Sequence, residues 1–205
     1  MSSLQRITLV FLAMAVAVLG FLYFPRQRAE QVKTQRLAQV LSAQDKKFSL
    51  DPRTKFADCK ISGPLPDHNC TPGDVFSEAT PDTICVPGYT KTVRNVSENL
   101  KKSVYAAYGV PYPQPTGSFE LDHLIPLALG GNNEAANLFP EAAEPVPGFK
   151  EKDVVEVYLQ QEVCAGRAAL AAAQEQIANN WLEVYNNLAP EDIQRIKSQY
   201  RNWSN

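Results

Sequence analysis

The chain has 205 residues, with 20 Lys or Arg against 22 Asp or Glu and a formal net charge of −2. Its 44% hydrophobic and 20% charged residues suffice for one globular domain of roughly 140 residues with an N-terminal appendage. Residues 61–205 hold ten Lys or Arg against eighteen Asp or Glu, which excludes any function that depends on a broad basic face.

An uncharged apolar run of eighteen residues, Ile7 to Phe24, stands near the start of the chain. Its length is at the short end of the ~17 to 25 residues that cross a bilayer as a helix. A signal peptide is the alternative, but Pro-Arg-Gln-Arg follows the run instead of a small-residue cleavage site. We therefore expect residues 1–25 to be a membrane anchor or signal sequence and favour the uncleaved anchor. Arginines on both sides of the run leave its orientation open.

Residues 26–50 are polar and basic and predict a spacer, in part helical around residues 29–42, that leads into a domain at 51–205. The four cysteines include no Cys-x-x-Cys pair, which disfavours a zinc knuckle and permits two disulfides. Three pairings are possible, and we favour Cys59 with Cys70 and Cys85 with Cys164. Disulfides predict an exported protein, located in the cell envelope or secreted.

Three stretches outside the central motif predict scaffold helices. Ser97 is a typical N-cap for a helix that runs through Tyr108 and ends at Gly109. An alanine-rich stretch predicts a helix at residues 170–188, and a further helix is expected at 191–200. The Trp and Tyr residues of these helices are typical of a core rather than a ligand platform.

The most informative segment is ELDHLIPLALGGNNEAANLFPE, residues 120–141. Its Gly-Gly-Asn-Asn run predicts a turn that folds the second half back on the first, forming a hairpin. Asp122 and His123 would face opposite sides of a regular strand, and a strand that ends or bulges there would bring them together. Asn137, on the returning segment, can donate and accept hydrogen bonds and so pin one backbone to another.

A helix is predicted after the hairpin, because residues 152–163 carry an apolar stripe at helical spacing. Asp153 and Glu156, three residues apart, share its other face. By themselves, these two acids are equally typical of a solvated first turn that the helix dipole favours.

The hairpin followed by a helix resembles the HNH (ββα-metal) endonuclease family. The segments CTPG (70–73), ICVPGY (84–89), LDHLIPL (121–127), NLFPE (137–141), KDVVE (152–156) and VCAG (163–166) are more closely similar to small extracytoplasmic bacterial proteins of that family. The similarity covers roughly residues 59 to 181. It implies an α+β fold in which a short β-hairpin and a helix form the metal-site core, with helices around it.

The resemblance also implies site roles. His123 would be the general base, Asp122 a metal ligand, and Asn137 the residue that holds the loop. The family usually supplies His or Asn near the start of the helix, where this chain has neither, so Asp153 is the first candidate ligand and Glu156 the alternative. Oxygen ligands suit Mg²⁺ first and Mn²⁺ second.

Few basic side chains are available to bind a phosphate of the nucleic acid. Arg94 could clamp a phosphate through two hydrogen bonds, or it could be an ordinary surface arginine. Lys152, next to the predicted ligand, could steady a phosphate or be simply solvated. A local cluster of Lys91, Arg94, Lys101 and Lys102 would contact phosphates without reading bases.

Two functions follow from these patterns. The first is a monomeric, metal-dependent endonuclease that cuts nucleic acid, DNA first, with little sequence preference. The second is a disulfide-stabilised module on the same scaffold that binds nucleic acid or an envelope partner and no longer cuts. An envelope protein in which the motif is coincidental is a third, weaker reading.

Overall fold

A computed structural model describes residues 28, 31–35, 37 and 49–199. Its architecture is α+β, with one two-stranded antiparallel sheet surrounded by helices, as the sequence predicts. In chain order the elements are α1 (Pro81–Ile84), α2 (Tyr89–Val93), α3 (Glu98–Ala107), β1 (Phe119–His123), β2 (Leu138–Ala142), α4 (Phe149–Cys164), α5 (Leu170–Asn187) and α6 (Pro190–Gln199). Two short 3₁₀ helices, Leu127–Leu129 and Ala135–Asn137, lie in the connection between the strands.

The predicted hairpin is confirmed, and glycine at position 131 is a steric requirement of its turn. A Cβ at Gly131 would stand 1.8 Å from the backbone oxygen of Ile125, far inside van der Waals contact. Gly148, just before α4, is equally constrained, because a Cβ there would lie 2.4 Å from the backbone oxygen of Ala142. The close approach at Gly148 brings the start of α4 against the end of β2, whereas the one at Gly131 closes the connection between the strands.

Most of the core lies between α4 and α5. The side chains of Val155, Leu159, Ile177 and Trp181 are fully buried in one cluster. A second cluster forms on the far side of the hairpin, where Leu138 and Phe139 of β2 pack against α3 and the Cys59–Cys70 disulfide. One side of the hairpin is therefore anchored in an apolar layer, while α4 lies against its other side through Lys152 and Asp122.

Both favoured disulfides are present. Cys59 and Cys70 are joined across 11 residues, and Cys85 and Cys164 across 79. The second bridge ties the end of α1 to the end of α4. Such a long closed loop restricts the unfolded chain strongly, which stabilises the domain. The disulfides are compatible with an exported protein.

The scaffold helices agree with the sequence except at one point. The Ser97 side chain accepts a hydrogen bond from the Leu100 backbone N–H and caps α3, which ends before Gly109 with a φ of 66°. The expected helix at 170–188 is interrupted at Asn180, whose φ of −166° and ψ of 82° are not helical. The kink separates the alanine-rich half from the half that carries Trp181.

No helix in the described part of the chain is long and apolar enough to cross a membrane. The predicted anchor, residues 7–24, lies outside the described residues. Residues 31–35 and Leu37 are helical, within the stretch of the spacer where a helix is expected, and Leu37 is buried in the main core.

Candidate active site

The hairpin and α4 bring six ionisable side chains together. Strand alternation places Glu120 and Asp122 on one face of β1, and Glu141 faces the same way because it pairs with Glu120 across the hairpin. Helix α4 crosses this face and supplies the other three, which are Lys152, Asp153 and Glu156. The predicted helix, α4, thus meets the hairpin through the face that carries Asp153 and Glu156.

Lys152 lies at the centre of this group and is fully buried. Its Nζ donates to Asp122 Oδ2 at 2.8 Å, to the His123 backbone oxygen at 2.7 Å and to Glu156 Oε1 at 2.5 Å. Burial opposes its charge, but Asp122 and Glu156 outweigh that effect and raise the pKa of Lys152 above its usual value. The lysine is a permanent internal cation that links β1 to α4.

The pKa values of Asp122 and Glu141, which face the same side of the hairpin, are shifted in opposite directions. Burial opposes the charge of Asp122, but the neighbouring Lys152 outweighs that effect and lowers the pKa of Asp122 to about 2. Glu141 is 1% exposed, and its two carboxyl oxygens have no hydrogen-bond partner among the described residues. Burial and the neighbouring Asp122 raise the pKa of Glu141 well above its ordinary value. The protonated form of Glu141 is therefore favoured beside the ionised Asp122.

Asp153 and Glu156 carry negative charge that Lys152 does not fully balance. Burial, Glu156 and Asp122 raise the pKa of Asp153 to about 8. Burial also raises the pKa of Glu156 to about 7, with Lys152 opposing the shift and Asp122 adding to it. Five carboxyl groups and one ammonium leave an excess of acidic groups, and protons relieve part of their mutual repulsion at neutral pH.

His123 is 3% exposed, and its ring contacts Asn133, whereas the Asp122 carboxylate contacts Lys152. Its Nε2 lies 3.2 Å from Asn133 Oδ1, whereas Asp122 accepts a hydrogen bond from the His123 backbone N–H at 2.7 Å. Burial lowers the pKa of His123, although Asp122 and Asn133 oppose that shift. The ring is therefore neutral at pH 7 and able to accept a proton.

Asn137 holds the connection between the strands, as its position in the hairpin suggests. Its Oδ1 accepts from the Ile125 backbone N–H at 2.9 Å, and its Nδ2 donates to the backbone oxygens of Ile125 and Asn132, each at 2.9 Å. The side chain is fully buried. It makes no contact with the carboxylates, so it shapes the loop that follows His123.

A cleft of about 630 Å³ opens beside the acidic group, between α1, α2 and α4. Its wall includes the cations Lys91 and Arg94 and the acids Glu120, Asp153 and Glu156. Neither Asp122 nor His123 lines it, although the charge of Arg94 acts on both His123 and Glu156. Lys101 and Lys102 of the predicted basic cluster do not line the cleft.

Two expectations require comment. Lys152 is predicted to contact a phosphate, but in this structure its three N–H donors go to Asp122, the His123 backbone oxygen and Glu156. The predicted ligands Asp122 and Asp153 lie near each other, but within residues 28, 31–35, 37 and 49–199 no group of three or more His, Cys, Asp or Glu is arranged to hold a metal ion.

Sequence reasoning missed two residues of the site, Glu141 and Asn133. Glu141 had a usable signal, because pairing β1 with β2 through the Gly-Gly turn sets it opposite Glu120. Asn133 had none, since it stands beside Asn132 and both are ordinary turn residues. Only the fold shows that Asn133 reaches His123 and that Asn132 bonds within the turn instead.

A scan against protein-family models, a search of curated proteins and a search of solved structures each found no match.

Proposed function

We propose that the protein is a metal-dependent endonuclease that hydrolyses phosphodiester bonds in nucleic acid, DNA first, with little sequence preference. One observation carries the proposal: carboxylates from the hairpin and from α4 meet beside a cleft that also carries Lys91 and Arg94. The resemblance of this hairpin and helix to HNH endonucleases points the same way.

The donor chemistry fits a hard divalent cation. Asp153 and Glu156 line the cleft and carry an excess of negative charge, which a cation would relieve in place of protons. Mg²⁺ usually keeps several waters and uses one or two carboxylates together with substrate phosphates, so three protein ligands are not required. We assign the two ligand positions to Asp153 and Glu156. Asp122, which Lys152 already engages, supports them from the hairpin.

His123 supplies the base. Its neutral ring accepts a proton from the attacking water, and Asn137 keeps the loop after His123 in place. Arg94 and Lys91 hold the phosphate in the cleft and neutralise part of its charge. A bound divalent ion would stabilise charge on the phosphoryl oxygens and on the leaving oxygen. These contacts go to the backbone of the nucleic acid, so the bases are not read.

The proposal is tested by plasmid nicking with the full-length protein in Mg²⁺, Mn²⁺ or EDTA. Asp153→Asn and Glu156→Gln are compared with Glu162→Gln, a carboxylate of the same helix that pairs with Arg167 away from the cleft. We expect cutting that requires metal, is lost in the first two variants and persists in the third. The proposal fails if folded wild-type protein cuts no DNA or RNA with either metal.

The structure also gives a reason for a second candidate, a module that binds nucleic acid or an envelope partner without cutting. Lys152 already forms ion pairs with Asp122 and Glu156, and His123 is almost fully buried. Such a protein would retain binding to DNA, with no cleavage under any metal condition. A binding assay in EDTA beside the nicking assay separates the two functions.

A further inference from the structure

We propose that Asn133 is a positioning residue that fixes the tautomer of His123, so that Nε2 carries the proton and Nδ1 is the nitrogen that accepts one. The proposal deepens the proposed function, because it names the base atom of that site. It depends on contacts between Asn133 and two backbone groups whose hydrogen-bonding roles are fixed.

The orientation of the Asn133 amide follows from its backbone partners. Its Oδ1 lies 3.2 Å from the backbone nitrogen of Asn95, which can only donate. Its Nδ2 lies 2.8 Å from the backbone oxygen of Val93, which can only accept. If the amide oxygen and nitrogen were exchanged, the NH₂ group would face the backbone N–H of Asn95, and the amide oxygen would face the backbone oxygen of Val93. The oxygen therefore faces Asn95, and the nitrogen faces Val93.

The tautomer of His123 follows from that orientation. Nε2 of His123 lies 3.2 Å from the same Oδ1, and an amide oxygen can only accept. The Nε2 atom must therefore carry the hydrogen. In a neutral imidazole the other nitrogen then has the free lone pair, and this nitrogen is Nδ1.

Nδ1 is also the nitrogen that water can reach. It has no hydrogen-bond partner in the part of the chain that the structure describes, where the fully buried side-chain N and O atoms without a partner belong to Glu141 and Trp181. Nδ1 is thus neither paired nor sealed, although the residue as a whole is 3% exposed. A proton from an attacking water would arrive at this atom.

The place of Asn133 in the fold also suits a positioning role. It belongs to the turn after Gly131, and it reaches back to Val93 and Asn95 at the end of α2, on either side of Arg94, which lines the cleft. The same amide thus ties the imidazole to the segment that carries Arg94. Its loss would release the tautomer of the imidazole.

The test is ¹⁵N NMR of the full-length chain labelled at histidine, without metal or substrate. The chain has two histidines, and His68, which pairs with Asp51 at the surface, serves as the internal reference. We expect the Nε2–H tautomer for His123 in the wild type. Asn133→Leu should give a mixture of tautomers, and Asn133→Asp, which keeps an oxygen acceptor, should restore Nε2–H.

Activity provides the second readout. Asn133→Leu should lower kcat roughly tenfold or more and leave KM for DNA unchanged, because the loss of one hydrogen bond to the base affects proton transfer and not substrate binding. Asn95→Ala is the matched control, since only the backbone of Asn95 contacts Asn133. A wild-type proton on Nδ1, or no change of tautomer in Asn133→Leu, overturns the proposal. NMR measures both of these tautomer outcomes without any cleavage reaction, so they can be told apart from a failure of the proposed function.

Discussion

Replacing Lys152 by Met removes the buried cation at the centre of the site. The lysine makes two hydrogen bonds to carboxylates, at 2.8 Å to Asp122 and 2.5 Å to Glu156, and one of 2.7 Å to the His123 backbone oxygen. Hydrogen bonds to charged groups contribute roughly 1.5–3 kcal/mol each, and breaking a buried ion pair from one side costs about 3–5 kcal/mol. We therefore expect Lys152→Met to lower the free energy of unfolding by about 3–5 kcal/mol.

Urea denaturation at pH 8 measures this change. Lys150→Met is the matched control, because Lys150 is exposed on the same helix and its loss should change stability by about 0.5 kcal/mol or less. The cost of Lys152→Met should shrink at pH 5, since the abandoned carboxyl groups can then take up protons. A loss below about 1 kcal/mol at pH 8, or one equal to that of Lys150→Met, would refute the assignment of Lys152 as the internal counter-ion.

Three further results are expected. Without metal, stability should fall as the pH rises from about 4 to about 8, because folding raises the pKa values of Asp153 and Glu156 and the unfolded chain therefore releases these protons at lower pH. Mg²⁺ would take the place of these protons, so it should raise Tm more at pH 8 than at pH 5. Asn137→Ala should cost about 2–4 kcal/mol in urea denaturation, because three buried hydrogen bonds are lost, and a cost under about 1 kcal/mol would contradict that role. Arg94→Gln should raise KM for DNA and lower the salt dependence of binding by about one ion, whereas Lys101→Gln, away from the cleft, should change neither.

Local patterns in the sequence predict most of the fold. The Gly-Gly-Asn-Asn turn specifies the hairpin, and helical periodicity specifies α4, because both signals depend on residues close together in the chain. The interruption of α5 at Asn180 has no comparable signal, because neither proline nor glycine stands there. Asparagine is a modest helix former whose side chain competes for backbone hydrogen bonds, and tertiary packing decides the outcome.

The site itself is less accessible to sequence reasoning. Asp122, Asp153 and Glu156 are visible as acids on the hairpin and the helix, but their environment depends on how α4 crosses β1. Lys152 illustrates the difficulty, since a lysine with Glu151 and Asp153 as its sequence neighbours is usually solvated, whereas here it is fully buried. Its burial results from packing between distant segments, which local propensity does not encode.

The distinction between Asp122 and His123 has the same origin. Adjacent residues on a strand face opposite sides, so a shared pocket would have required a bulge, and β1 is regular through His123. Asp122 therefore faces Lys152, whereas His123 faces Asn133. The resemblance to HNH endonucleases suggests both residues as site members, but the partner of each one is a property of this fold.

The most direct measurement is metal-dependent plasmid nicking by the full-length protein, its His123→Ala variant and its His68→Ala variant. His68 is the matched control for His123, because it is exposed and pairs with Asp51, and both lie far in sequence from the carboxylates of the candidate site. We predict that cutting in Mg²⁺ falls by at least about 100-fold in His123→Ala and is unchanged in His68→Ala. Cutting that survives in folded His123→Ala would contradict the assignment of His123 as the base.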